Sequence, residues 1–410
     1  MLNQSFDSKT LLNLTTKREI INFKLGRNTS EYKDALTEIS KKINSENFHF
    51  HTLNCYTYEK RCIYKVDSAE EYYAIRKITD NLKRIYKVKF SNKEDIIHQV
   101  INIISDTSSF NIIRLDVKNF FESINFTTII DKIKSDNILS KSSHDKIIQI
   151  KKSLPVSFNG LPRGLAISSV LSELFMEEID NKIRSLSSTY YYARYVDDII
   201  IISHDININT DYFREMFSSK ELMLNEKSND LLIAPANNTQ ETNKFNFLGY
   251  DFLIHSKKNQ DNFRQITIDM SQNKIKKIKT RIIKAILSHA KSHDEKLLTK
   301  RIKFLSGNYI VKNDKNNRRI HTNDDNHNLK GGIYYNNKFI NTKSNLSMLN
   351  EFLKKLLLCT KNNSIGRAVR SIPISTRRAL MSHCFISGHT HVIFHSFTEN
   401  DIQEIRRCWR

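Results

Sequence analysis

Two adjacent carboxylates, Asp197 and Asp198, sit in the segment YYYARYVDDIIIIS between an aromatic-rich run and an all-apolar one. Both flanks are strong β formers, and the acidic pair falls where a hairpin could turn. A turn there lifts both carboxylates out of the sheet, where they can bind divalent cations, since Mg²⁺ is held by one or two carboxylates together with substrate phosphates. Asp-Asp is also ordinary turn chemistry, so the pair gains meaning from a third carboxylate. Upstream, NIIRLDVKNFFESINF carries an apolar, strand-like run that ends at Asp116 and gives way to Phe and polar residues. Three carboxylates from two strand ends can hold two metal ions about 3.5 to 4 Å apart, an arrangement that clamps the attacking and leaving oxygens of a phosphoryl transfer.

The elements that must position these groups can be read around them. Val170, Leu171, Leu174, Phe175 and Ile179 recur at helical spacing and predict a helix from about Ser168 to Ser185. Its approach, Asn159-Gly160-Leu161-Pro162-Arg163-Gly164, is turn-rich and leaves backbone room for a close ligand. Farther on, SQNKIKKIKTRIIKAILSH places Ile275, Ile278, Ile282 and Ile286 on one helical face, with Lys274, Lys276, Lys277, Lys279, Arg281 and Lys284 around the rest. Residues 307 to 345 are Asn-rich and loop-like, NLSMLNEFLKKLLLC returns to helical periodicity, and SHCFISGHTHVIFHSF alternates like a strand. His383, Cys384, His389, His391 and His395 in that last run invite zinc, but their spacing fits no common zinc pattern.

Taken in order, the chain resembles reverse transcriptases over roughly residues 76 to 252. The residues that carry the likeness are Asp116, the intervening GLPRGLAISSVLSELFMEEID, Tyr195-Val196-Asp197-Asp198, Leu224-Asn225-Glu226-Lys227-Ser228 and Phe247-Leu248-Gly249-Tyr250-Asp251-Phe252. Within that superfamily it is most similar to the bacterial abortive-infection and defence-associated group. That likeness rests on Arg84-Ile85-Tyr86-Lys87-Val88-Lys89, Asn92-Lys93-Glu94, Pro162-Arg163-Gly164-Leu165-Ala166 with Ser168-Ser169, and Gly332-Ile333-Tyr334-Tyr335.

The resemblance implies an α+β right-hand polymerase with fingers over residues 1–115, a palm over 116–255 and a helical thumb and C-terminal region over 256–410. It implies RNA-directed DNA synthesis from dNTPs with two Mg²⁺ ions, Mn²⁺ being the alternative, at Asp116, Val117, Asp197 and Asp198. One ion would activate a 3′-hydroxyl and the other would neutralise departing pyrophosphate. The implied partners are an RNA template or non-coding RNA and the DNA product, with a partner protein or a second copy also open; the implied role is antiphage defence. A retron or group II intron enzyme is the alternative within the class, the intron type being disfavoured by the want of maturase-like and endonuclease extensions. A non-catalytic palm-fold RNA-binding scaffold is the alternative outside it.

By the same resemblance, Arg84, Lys87 and Lys89 close over the triphosphate, a task suited to a Lys point charge or an Arg fork. Arg163 and Gly164 lie against the templating base and the nucleotide. Phe121, five residues after Asp116, is the aromatic gate that clashes with a ribose 2′-hydroxyl, Phe120 being a core ring. Lys227 protonates the leaving pyrophosphate. Phe247, Leu248, Gly249 and Tyr250 form the primer grip, with Gly249 permitting close backbone approach, and Lys277, Arg281 and Lys284 hold nucleic acid on the thumb helix. Three departures stand out: Arg163 where Gln is usual, Leu165-Ala166 in place of Ser-Pro, and Glu173 in place of Asn. They bear on template reading and leave the carboxylates intact.

Composition agrees with a polyanion-binding protein. The 410 residues carry 65 Lys and Arg against 44 Asp and Glu, a formal charge of +21, which favours nucleic acid and predicts salt-dependent binding. No apolar run approaches the 18 or so residues of a membrane span, and the polar start MLNQSFDSKT lacks a secretory pattern. The five cysteines form no CxxC pair, so free thiols in a reducing cytoplasm are expected.

Overall fold

A computed structural model of the chain describes residues 2–58, 61–205, 207–237, 239–311 and 329–409. They fall into two compact units, one formed by residues up to 96 and by 109–233, the other by 97–108 and by the residues from 234 onwards.

The first unit contains a hairpin, β1 (Cys55–Tyr58) and β2 (Arg61–Tyr64), and a four-stranded antiparallel sheet of β3 (Phe110–Asp116), β4 (Thr189–Tyr195), β5 (Asp198–Ser203) and β6 (Asn229–Ile233) in the order β4-β5-β3-β6. The isoleucine run sets β5 at the centre: β-branched side chains suit a pleated surface, and Ile199, Ile200, Ile201 and Ile202 are all fully buried. Ile199 and Ile201 enter the main core, which also takes Tyr73, Phe120, Phe126 and Leu171; Ile200 and Ile202 are buried on the opposite face, as the period of two requires. The helix expected from about Ser168 spans Ala166–Ser185 and packs on β4 and on helix Ala69–Ile85.

The second unit holds an antiparallel meander, β7 (Thr242–Phe247), β8 (Tyr250–Lys258) and β9 (Arg264–Met270). Arg264 is 2 % exposed and donates its guanidinium hydrogens to the carbonyls of Asp106, Thr107, Ser108 and Ala234, which fastens residues 106–108 to this unit. Helix Gln272–Ser292 follows, with Ile275, Ile282, Ala285, Ile286 and His289 buried and Ile278 partly so, the stripe expected from the sequence.

The α+β expectation holds, and the region beyond 256 carries strands among its helices. The loop-like reading of 307–345 fails at β10 (Asn308–Val311) and β11 (Leu329–Gly332), while residues 312–328 lie outside the described residues. These strands join β12 (Phe394–Phe397) in the order β11-β10-β12, with β10 and β12 parallel. The strand read across the C-terminal His-rich run is confined to β12, because Phe385–Thr390 is a helix. Packing overrides the alternation there. Cys384 caps that helix by accepting the Ser387 N–H, and Gly388 lies so close to Ser306 that an added Cβ would stand 1.8 Å from its carbonyl oxygen.

The free-thiol expectation is also corrected: Cys55 and Cys62 are joined in a disulfide across the β1–β2 hairpin, with Cα atoms 5.5 Å apart. Cys55 pairs with Tyr64 and Thr57 with Cys62, so the antiparallel register makes diagonal neighbours of two cysteines seven residues apart. Cys359, Cys384 and Cys408 are free thiols. Among the described residues, no helix is long and apolar enough to cross a membrane.

Candidate active site

The carboxylates lie where β3 and β5 meet. Asp116 ends β3 and stands directly opposite Asp198, the first residue of β5, which in turn closes the β4–β5 hairpin against Tyr195. The two-residue turn is therefore Val196-Asp197. Of the acidic pair, only Asp197 leaves the ladder, a refinement of the expectation that a turn would lift both. Val196 has φ +61°, and a single positive φ at the first turn position matches the twist of a tight hairpin. A β-branched residue there is strained by about 1–3 kcal/mol.

The main chain around Asp116 is stitched to two neighbours. Val117 donates its N–H to the Asp197 carbonyl at 3.2 Å, and Asn225 donates to the Asp116 carbonyl at 2.7 Å. The Asp116 N–H bonds the Ser228 hydroxyl at 3.0 Å. Val117 also bridges Leu224, so the segment carrying Lys227 runs beside the site and leaves Lys227 exposed on its turn. Ser228, 7 % exposed, is a positioning residue that sequence reasoning quoted without assigning; a Ser after a turn, able to bond nearby backbone, was its signal.

Burial raises the carboxyl of Asp197, the Asp116 charge adds to the rise, and Arg163 and Arg61 oppose it. Asp198 is pushed up to about 6, first by burial and then by the charges of Asp197 and Asp116, with Arg114 and Lys93 pulling the other way. Arg114 itself is held below its usual value by burial, and its Nε has no hydrogen-bond partner among the described residues. For the metal-free protein this fixes the sign of one pH effect. The folded-state value of Asp198 lies above that of an ordinary aspartate, so the folded state keeps the proton between the two values and loses stability as pH rises through about 6. The melting temperature of metal-free protein is expected to fall across that window, and the Asp198→Asn variant should show a flatter profile.

A buried ion-pair network holds the hairpin from beneath. The Arg194 side chain, 5 % exposed, pairs with Glu173 at 2.6 Å and Asp180 at 2.8 Å, both on helix Ala166–Ser185. Its Nη1 donates to the Val196 carbonyl at 3.3 Å, and Tyr192 donates its hydroxyl hydrogen to Asp180 at 2.5 Å. The departure at Glu173 thus has a structural account: it supplies a second acid to Arg194, one residue before the turn tetrapeptide.

The loop before that helix reaches the residues just after Asp116. Arg163 forms a two-pronged pair with Glu122, Nε to Oε1 at 3.0 Å and Nη2 to Oε2 at 3.2 Å, and lies 5.1 Å from the centroid of the Phe121 ring. Phe120 is core at 2 % exposure, whereas Phe121 is partly buried. Gly164 has φ +104°, and a Cβ there would stand 2.6 Å from the Tyr64 carbonyl oxygen, so the glycine is required by both backbone and space.

The finger cations chosen from the sequence occupy other surroundings. Arg84 pairs with Asp80 at 3.7 Å. Lys87 and Lys89 line a cavity of about 240 Å³ with Glu173, Glu177, Asp180 and Arg194, and none of the three aspartates lines it. Arg163 and Arg61 of β2 are the cations acting on Asp197, and Arg114 and Lys93 those acting on Asp198; of the four, only Arg163 carries a site role read from the sequence. A lysine or arginine in a basic chain gives no local sign of such a role.

In the second unit, Phe247 and Tyr250 close the β7–β8 hairpin. Leu248 and Gly249 have φ +43° and +80°, the two positive values of a type I′ turn. Lys274 lies 4.4 Å from the Tyr250 ring centroid and donates to the Asn336 carbonyl at 2.7 Å. On helix Gln272–Ser292, Lys277 and Lys284 are exposed, while Arg281 stacks on Trp409 at 5.3 Å, whose indole N–H donates to the Arg281 carbonyl at 2.9 Å.

Residues 32–252, more than half of the chain, match the reverse transcriptase (RNA-dependent DNA polymerase) family, and the chain belongs to it. Among solved structures it is similar to an apo telomerase from Candida tropicalis truncated from its C-terminal domain, at 13 % identity and a TM-score of 0.35 over 62 % of this chain and 51 % of that one. It is also similar to telomerases from Candida albicans and Candida tropicalis in complex with the TWJ fragment of telomeric RNA. The former is 13 % identical with a TM-score of 0.32, over 82 % of this chain and 56 % of that one. The latter is 15 % identical with a TM-score of 0.35, over 82 % and 53 %. The chain spans about half the length of these proteins.

Proposed function

We propose that the chain is an RNA-directed DNA polymerase that adds dNTPs to a primer by phosphoryl transfer at the Asp116–Asp197–Asp198 face. The observation that carries the reading is the placement of three mutually repelling, half-buried carboxylates at the meeting of β3 and β5, in a chain of the reverse transcriptase family. Hard oxygen donors suit Mg²⁺ or Mn²⁺, and a divalent cation would offset the repulsion. Among the described residues, no group of three or more His, Cys, Asp or Glu is arranged to hold a metal ion by itself; Mg²⁺ at a phosphoryl-transfer site draws its remaining ligands from substrate phosphates and water. When bound, two such ions supply Lewis acidity to the attacking hydroxyl and to the leaving phosphates.

The chain's own residues do the rest. Asp116, Asp197 and Asp198, with Val117 beside them, form the cation site. Arg194 and Ser228 fix the backbone that carries it. In this reading Phe121 selects the sugar, Lys227 supplies a proton to pyrophosphate, and the Arg61 charge acts on Asp197. Phe121→Ala is expected to raise ribonucleotide relative to deoxynucleotide incorporation, because it removes a clash. Phe120→Ala is expected to cost about 3–5 kcal/mol of stability as a deleted core ring. Single-nucleotide extension and urea unfolding read the two effects.

Template RNA and product DNA are expected to bind in part through Lys277 and Lys284. The double Gln variant should reduce the slope of log affinity against log salt by about one to two counterions, measured by filter binding; an unaltered slope would leave these lysines as a solvated face. Membership of the bacterial defence group, with a non-coding RNA, rests on the sequence features named above. Primer extension on RNA and on DNA templates, together with sequencing of nucleic acid that copurifies, tests the activity. Phage plating on cells carrying the Asp197→Asn variant tests the role, and protection by that variant would favour a scaffold.

A further inference from the structure

The loop Asn159–Gly164 makes four kinds of contact, and Arg163 takes part in most of them. Its guanidinium is committed to Glu122 by two parallel bonds and covers the Phe121 ring, with the side chain 24 % exposed. Its carbonyl accepts the Tyr64 N–H of β2 at 2.7 Å. Two residues earlier in the loop, the Leu161 N–H bonds the Phe121 carbonyl at 2.7 Å. A Cβ on Gly160 would stand 2.5 Å from the Glu122 carbonyl oxygen, so the loop presses directly on the backbone of the Phe121 segment. The Phe121 ring, on the four-residue helix Phe120–Ser123, packs on the core and edge-on against Phe120 at 5.3 Å, and Arg163 is the cation over it.

We infer that Arg163 is a positioning residue for sugar selection: braced by Glu122, it locks the Phe121 ring and ties its position to the β1–β2 hairpin. The inference rests on the reading of Phe121 as the gate. Its physical basis is that a bidentate, charge-assisted pair fixes the guanidinium plane, and a fixed cationic plane over a ring restrains the ring in turn. A ring free to tilt would admit a 2′-hydroxyl. The hairpin contact carries a second consequence, since β2 also holds Arg61, whose charge acts on Asp197; movement of the hairpin is transmitted to the ring through one residue. The rival role for Arg163, a direct ligand of the incoming triphosphate, requires the guanidinium to leave Glu122.

Single-nucleotide incorporation, with kcat and KM measured for a dNTP and the matching rNTP, separates these accounts. Arg163→Gln is expected to raise the rNTP-to-dNTP ratio of kcat/KM about tenfold, the scale on which pocket shape alone discriminates. Arg163→Lys should not restore it, because Lys lacks the planar fork, and Glu122→Gln should shift the ratio in the same direction by less. In the Phe121→Ala background, Arg163→Gln should add nothing, a coupling that general destabilisation would not produce. A tenfold rise in dNTP KM with an unchanged sugar ratio would identify a triphosphate ligand and overturn the inference, as would additive effects in the double variant. Should Phe121→Ala leave the ratio unchanged, the gate reading itself falls and the inference with it. Should Phe121→Ala shift the ratio while Arg163→Gln does not, the inference alone falls.

Discussion

Asp197→Asn and Asp116→Asn are each expected to lower incorporation by about 10²–10³-fold and to leave metal-free protein at least as stable as the parent. The first half follows from removing charge where the transition state needs a cation held. The second follows from the sheet: Asp116 and Asp198 are direct cross-strand partners, and like charges opposite one another cost roughly 0.2–1 kcal/mol. An amide keeps the shape and removes the repulsion. Extension assays and thermal melts without divalent ions read the two halves together. A polymerising Asp197→Asn enzyme would defeat the proposed chemistry, whereas an inactive variant of sharply lowered melting temperature would point to a folding role for the carboxylate.

Arg194→Met is expected to destabilise the first unit by about 3–5 kcal/mol, the usual result of removing one member of a buried ion pair. Methionine fills much of the space but leaves Glu173 and Asp180 without their cation and the Val196 carbonyl without its donor. Urea unfolding measures the loss. A companion triple variant, Arg194→Met with Glu173→Gln and Asp180→Asn, should recover a large part of it, because the penalty lies mostly in the charges left unpaired. A change below about 1 kcal/mol in the single variant would mean that water reaches these groups and that the network does little to hold the turn.

Much of the candidate site was legible because its signals are local. The strand formers on either side of Tyr195–Asp198, the apolar run ending at Asp116 and the stripe of the helix ending at Ser185 each depend on neighbours a few residues away, and each is found where expected. What escaped depends on distant pairing. Arg194 meets Asp180 and Glu173 across 14 and 21 residues, and Arg163 meets Glu122 across 41. Nothing in the composition of those segments announces either encounter. Strand β10 escaped for the same reason: a short segment becomes a strand when a partner is present, and its parallel partner β12 lies more than eighty residues away. Arg61 could have been suspected only from the hairpin, whose register also makes neighbours of Cys55 and Cys62.

The fastening of residues 106–108 by Arg264 bears on how the chain is made. Residues 97–108 belong with a unit whose other parts begin at residue 234, so the ribosome delivers this segment long before its partners. Arg264 follows Asp106 by 158 residues, an interval of roughly eight to thirty seconds at about 5–20 residues per second. During that time the first unit can complete its sheet, since β3 through β6 all precede residue 234, while the carbonyls that Arg264 will bind stay hydrated. Synthesis order thus separates the maturation of the carboxylate face from that of the second unit, and a nascent chain stalled once β6 has cleared the ribosome exit tunnel should already protect Ile199–Ile202 from hydrogen exchange.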